Sequence, residues 1–65
     1  MNFEEGDVLL VTPDVGKPYR AEILAFEGER VKVRVETPRG SQTRRWFQEE
    51  LEHWWFEGGV DRCRP

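Results

Sequence analysis

Apolar and polar residues alternate most cleanly between positions 30 and 36. Val31, Val33 and Val35 interleave with Lys32, Arg34 and Glu36, the period-two pattern of a strand with one buried face. Valine at every inward position suits a pleated surface, because a β-branched side chain loses little freedom there. The reading extends both ways. Asp7 to Thr12 predicts a first strand, entered through Gly6 and closed by Pro13. The stretch from Thr12 to Pro18 holds Pro13, Gly16 and Pro18, which cannot continue a hydrogen-bonded ladder, so it is predicted as loop. Tyr19 to Phe26 resumes as a strand, with Tyr19, Ala21, Ile23 and Ala25 on one face. Glu27-Gly28-Glu29 reads as a tight hairpin turn. Thr37-Pro38-Arg39-Gly40 turns the chain again, and Ser41 to Phe47 returns as a fourth strand. Gln48 to Leu51 predicts a single helical turn, with Leu51 plugging the end of the core. Glu52 to Phe56 predicts a fifth, short strand. Gly58-Gly59 then closes the domain, giving a folded unit over 1–57 and a flexible tail over 58–65.

Five short strands joined mostly by tight turns are too few for two packed sheets. Curling into a small barrel hides edges that an open sheet leaves exposed. The expected fold is therefore all-β, a five-stranded barrel with a short helical turn before its last strand.

Composition narrows the picture. Sixty-five residues make one domain, which buries only about 60% of the surface its unfolded chain exposes. Three Trp, four Phe and one Tyr supply the large apolar area that so short a core needs. The net charge of -3 argues against broad, non-specific nucleic-acid binding, which rests on a basic surface. Charge is unevenly placed, however. Arg30, Lys32, Arg34, Arg39, Arg44 and Arg45 precede Glu49, Glu50, Glu52 and Glu57, so a local basic face is compatible with an acidic chain.

Catalytic chemistry finds no foothold. One cysteine, Cys63, and one histidine, His53, cannot supply an internal disulfide or a four-ligand zinc site. No Ser-His-Asp or Cys-His arrangement is credible, and the glycines fall at turns and in the tail rather than in a phosphate-cradling run. The expectation is a non-enzyme with no catalytic, metal-binding or cofactor-binding residue and no cofactor. No apolar run approaches the ~20 residues of a membrane span, and the N-terminal residues lack a basic region followed by an apolar one. The chain reads as cytoplasmic, without a membrane partner.

At this point the residues resemble a known pattern. Gly6-Asp7, Tyr19-Arg20-Ala21-Glu22-Ile23-Leu24, Val31-Lys32-Val33-Arg34-Val35, Gly40 and Glu49-Glu50-Leu51 follow the rhythm of SH3-like barrels of the Tudor type. The chain also looks like two bacterial relatives of that architecture, the Tudor-type module at the C-terminus of repair helicases and the RNA-polymerase-interacting domain of CarD-type regulators. Asp7-Val8, Pro13-Asp14-Val15-Gly16 and Glu22-Ile23-Leu24 carry that likeness. The resemblance implies a protein-docking module that adds a strand to a partner sheet, serving transcription or DNA-repair machinery. Tudor modules that read methylated Arg or Lys use a cage of aromatic rings. Only Tyr19 matches a cage position here; Thr12, Pro13, Val35 and Pro38 stand where other rings belong.

The candidate partner-binding residues are Tyr19, Arg34, Arg39, Arg44, Trp54 and Trp55. On a strand, Trp54-Trp55-Phe56 alternates between faces, so at least one ring points outward; it either covers a barrel end or serves as an anchor for a protein partner or for a second copy in a homodimer. In Arg44-Arg45-Trp46-Phe47 one of the two rings belongs to the core, with Trp46 favoured. Arg34 beside Arg44 or Arg45 across two strands reads first as a solvated face paired with Glu22, Glu36 or Glu49, and otherwise, next to an outward Trp, as a positive stacking surface. A protein partner is the first expectation; the alternative is a nucleic-acid-binding small barrel using that Arg/Trp face.

Overall fold

The computed structural model describes residues 3–63. Five strands and one helix follow in order: β1 (Val8–Val11), β2 (Tyr19–Glu27), β3 (Arg30–Thr37), β4 (Gly40–Phe47), α1 (Gln48–Glu57) and β5 (Val60–Arg62). All five strands form one antiparallel sheet in the order β4-β3-β2-β1-β5. The protein is thus mostly β, as its alternation predicts. The first four strands begin and end within a residue of the expected positions.

One face of this sheet builds the core. Leu9 and Val11 of β1, Ala21 and Ile23 of β2, Val31, Val33 and Val35 of β3, and Val60 of β5 are all buried on it. Fully burying a Leu, Ile or Val side chain stabilises by roughly 1.5–3 kcal/mol, so this stripe dominates the favourable side of folding. Phe3 and Leu51 cover the stripe from above, and Tyr19, Phe26, Trp46, Trp54 and Trp55 pack around its rim.

Residues 48–62 differ most from expectation. The helical turn predicted over Gln48–Leu51 runs on to Glu57, so the segment Glu52–Phe56 is helical rather than a strand. Leu51, Trp54 and Trp55 are spaced i, i+3, i+4, which gathers them on one side of a helix. As a strand, the same residues would send one Trp into water. Glu49 and Glu50 occupy the first turn, where carboxylates favour the helix dipole. Gly58, at φ 85°, ends the helix, its N–H donating to the Trp55 carbonyl at 3.2 Å. That left-handed conformation is one a side chain resists and glycine adopts freely.

The last strand accordingly lies at Val60–Arg62, inside the segment assigned to a flexible tail. It pairs with β1, Val60 opposite Val11 and Arg62 opposite Leu9, and the Cys63 N–H donates to the Val8 carbonyl at 2.8 Å. Val60 is a core residue. The chain therefore holds its order to Cys63, and Arg64 and Pro65 lie outside the described residues.

A second correction falls within β2. Ile23 stands opposite Val33, but Ala25 stands opposite Lys32, so the register shifts at a bulge. An extra residue reverses the facing of everything beyond it. Ala25 leaves the core face, and Phe26, opposite Val31, joins it.

Candidate functional site

Register places the candidate arginines. Arg34 lies opposite Thr43, whereas Arg44 lies opposite Val33. Directly opposed residues share a face, so Arg34 and Arg44 occupy opposite faces of the sheet. They build no common positive patch. Arg45, opposite Lys32, does share the outer face with Arg34. Both are already engaged: Arg34 pairs with Glu22, and Arg45 Nε reaches Glu27 Oε1 at 2.9 Å. Arg39 is exposed at the tip of the β3–β4 turn, its backbone N–H donating to Thr37 Oγ1 at 3.3 Å.

The tryptophans are likewise not where an outward anchor belongs. Trp54 stacks edge-on against Trp46, with ring centroids 5.4 Å apart, and Trp55 does the same with Phe3 at 5.1 Å. Both are half-buried against the core. The outward aromatic of this segment is Phe56, 89% exposed on α1. Trp46 is the inner member of its pair, opposite Val31. Phe47 is exposed and carries the Arg30 guanidinium 4.2 Å from its ring centre.

Tyr19 stands between two surface depressions of opposite charge. On one side is a groove of about 290 Å³ between the β1–β2 loop and the end of α1, walled by Val11, Pro13, Tyr19 and Trp54. Its charged lining residues are Asp14 and Glu57, both acids. On the other side Tyr19 joins Pro18, Val35 and Pro38 in a shallower depression whose charged residues are Lys17, Arg20 and Glu36. Partial burial raises the Tyr19 hydroxyl above its ordinary pKa of 10.0, because a phenolate loses hydration there. Of the six candidate residues, the fold brings only Tyr19 and Trp54 to one cavity. Asp14 and Glu57 were not singled out in the sequence, where each reads as an ordinary solvated carboxylate. The signal that unites them is the helix, which swings Trp54 and Glu57 toward the loop.

The sheet also presents a bare edge. β4 has one neighbour, β3, and seven of its eight residues are exposed, Trp46 being the exception. No strand among the described residues covers its other side. Arg44 and Gln42 sit on the core-facing side of this strand, Arg44 Nη2 donating to Gln42 Oε1 at 2.6 Å. No helix among the described residues is long and apolar enough to cross a membrane. No family model, no curated protein and no solved structure matches the chain.

Proposed function

We propose that this chain is a small, non-enzymatic protein-interaction module of the cytoplasm, an SH3-like (Tudor-like) barrel that takes an extended partner segment as an added strand beside β4. The bare eight-residue edge carries this reading. An edge strand offers a row of backbone N–H and C=O groups to any chain laid alongside it, and main-chain pairing then supplies affinity. Five antiparallel strands in the order β4-β3-β2-β1-β5, with the helix between the last two strands, support the SH3-like reading, with the sheet left open between β4 and β5. The nucleic-acid alternative needs Arg34 beside Arg44 or Arg45 with an outward Trp. Arg44 lies on the opposite face from Arg34, while Arg45 shares its face but both pair with glutamates, and Trp54 and Trp55 pack against the core, all of which disfavours it.

Amide hydrogen exchange in the presence of a partner captured from the native host tests this directly. The expected result is slowed exchange at alternate amides of β4, with β5 unchanged. A partner that binds and leaves β4 exchange untouched would sink the proposal. So would retention of single-stranded DNA or RNA at physiological salt that weakens steeply as salt rises.

A further inference from the structure

Helix α1 turns one face to the core and the other to water. Leu51, Trp54 and Trp55 pack inward. Glu49, Glu52, His53 and Phe56, spaced i, i+3, i+4, i+7, form the opposite stripe, and all four are exposed. Phe56 is 89% exposed and takes no part in the core. Phenylalanine is also a poorer helix former than Ala, Glu or Lys, so helix formation does not account for it. A second exposed ring, Phe47, stands at the other end of the stripe. There it lines a depression of about 420 Å³ together with Glu29, Glu49 and Glu52. Exposed aromatics of this kind are enriched in the buried centres of protein interfaces.

The charge of this face says what covers it. α1 contains Glu49, Glu50, Glu52 and Glu57 and neither Lys nor Arg. The charged residues lining the depression are Glu29, Glu49 and Glu52. Among the described residues, no hydrogen bond or ion pair engages these three carboxylates. Arg30 does not neutralise them, since its guanidinium is held over the Phe47 ring, 4.2 Å from the centre.

We propose that this face of α1, between Phe47 and Phe56, docks a basic segment of a second polypeptide, with Lys or Arg against the glutamates and an aliphatic side chain against each ring. It uses side chains of the helix rather than the backbone row of β4, and so goes beyond strand addition. Spacing sets the pattern of the segment. From Phe47 to Phe56 the helix advances about 13.5 Å at 1.5 Å per residue, which roughly four residues of extended chain also span. The segment therefore reads apolar, three positions rich in Lys or Arg, apolar. The docking surface is held in shape beforehand. The Gln48 N–H donates to the Glu29 carbonyl at 2.9 Å, and Gln48 Nε2 donates to the Gly28 carbonyl. These bonds tie the β2–β3 turn to the start of α1, so little ordering remains to be done on binding.

The peptide acetyl-Lys-Leu-Lys-Lys-Lys-Leu-Lys-amide, titrated into the intact protein and followed by backbone amide NMR signals, tests the assignment. Signals of Glu49, Glu52, His53 and Phe56 are expected to move together and saturate, while those of Leu9 and Val11 stay in place. A peptide with Gly in place of each Leu is expected to bind at least about fivefold more weakly. So is the leucine peptide to Phe56→Ser, and to the Glu49→Gln/Glu52→Gln double variant. The substituted residues are exposed, so the variants are expected to keep their fold, which far-ultraviolet circular dichroism checks. Equal affinity for the glycine peptide, or equal affinity in Phe56→Ser, would reduce the contact to charge alone and overturn the assignment. Equal affinity in the double variant, or no movement of the α1 signals, would overturn it as well. So would a natural chain that sediments as a dimer and a Phe56→Ser variant that sediments as a monomer, because the stripe would then belong to a second copy. None of these outcomes bears on β4, whose own test is amide exchange along that edge.

Discussion

The sheet has two edges, and they meet solvent in different ways. β5 is three residues long, its Val60 is in the core, and the helix that precedes it lies beside it. β4 is eight residues long, and only Trp46 is shielded from water. A short, covered edge offers nothing to a passing strand, while a long bare one offers a complete row of backbone groups. The chain protects the two by different means. At β5 it uses length and packing. At β4 it uses charge, with Arg44 on the core-facing side and Arg45 on the outer side. The difference teaches that packing shields β5, whereas at β4 only charged side chains stand against a second strand.

The comparison breaks most severely if α1 no longer holds the β5 side together. Leu51 is fully buried between the helix and the sheet. Leu51→Ala removes that packing and leaves a cavity, which costs about 2–5 kcal/mol. Equilibrium urea unfolding is expected to show a midpoint lowered accordingly, with faster amide exchange in β5 than in β3. An unchanged midpoint would mean that Leu51 is not what holds α1 to the sheet.

Gly58 sharpens the same point at lower cost. It turns the chain from α1 into β5 at φ 85°, and a Cβ there would meet nothing within 4 Å. Gly58→Ala therefore tests backbone strain alone, without a clash, and is expected to destabilise by about 1 kcal/mol. Gly59→Ala serves as the control. Its φ is outside the left-handed region, and its Cβ would stand 3.6 Å from the Trp54 carbonyl oxygen, an ordinary contact. If both variants unfold at the same denaturant concentration, the left-handed turn is not what carries the chain into β5.

How legible all this was in the sequence follows the same division. β3 reads directly from Val31, Val33 and Val35, because strict alternation has one structural meaning. β2 reads directly as far as Ile23 and then misleads, since a bulge leaves no mark in a run such as Ile23-Leu24-Ala25-Phe26. Beyond Phe47 the pattern is ambiguous for a physical reason. Three consecutive aromatics at 54–56 fit a short strand as well as they fit a helix, and only the longer spacing from Leu51 to Trp54 and Trp55 decides between them. Reading one turn of helix instead of three moved the last strand by eight residues and assigned β5 to a tail. It also turned one of Trp54 and Trp55 outward in expectation, where the fold packs both against the core. The grooves were illegible for a related reason. Asp14 and Glu57 are 43 positions apart, and nothing in either neighbourhood announces that they share a cavity.

Arg44 gives the finest test of the two-edge comparison, because its substitution should barely disturb the fold. It is an exposed residue in line with Val33 on the core-facing side, and its guanidinium donates to Gln42 within its own strand. Arg44→Val replaces an inward-pointing charge with a strand-forming residue, so stability is expected to change by no more than about 0.5 kcal/mol, the range for surface sites. What changes is the solvation of the edge. An approaching second copy no longer has to strip water from a charge at the centre of β4, and edge-to-edge pairing becomes favourable. Sedimentation velocity at rising concentration is expected to show the variant associating where the natural chain does not. Arg45→Thr, on the outer side and already paired with Glu27, is expected to have the smaller effect, since its charge is largely compensated. If neither variant associates more than the natural chain, charge is not what guards the edge, and the length of β4 alone cannot account for its remaining open.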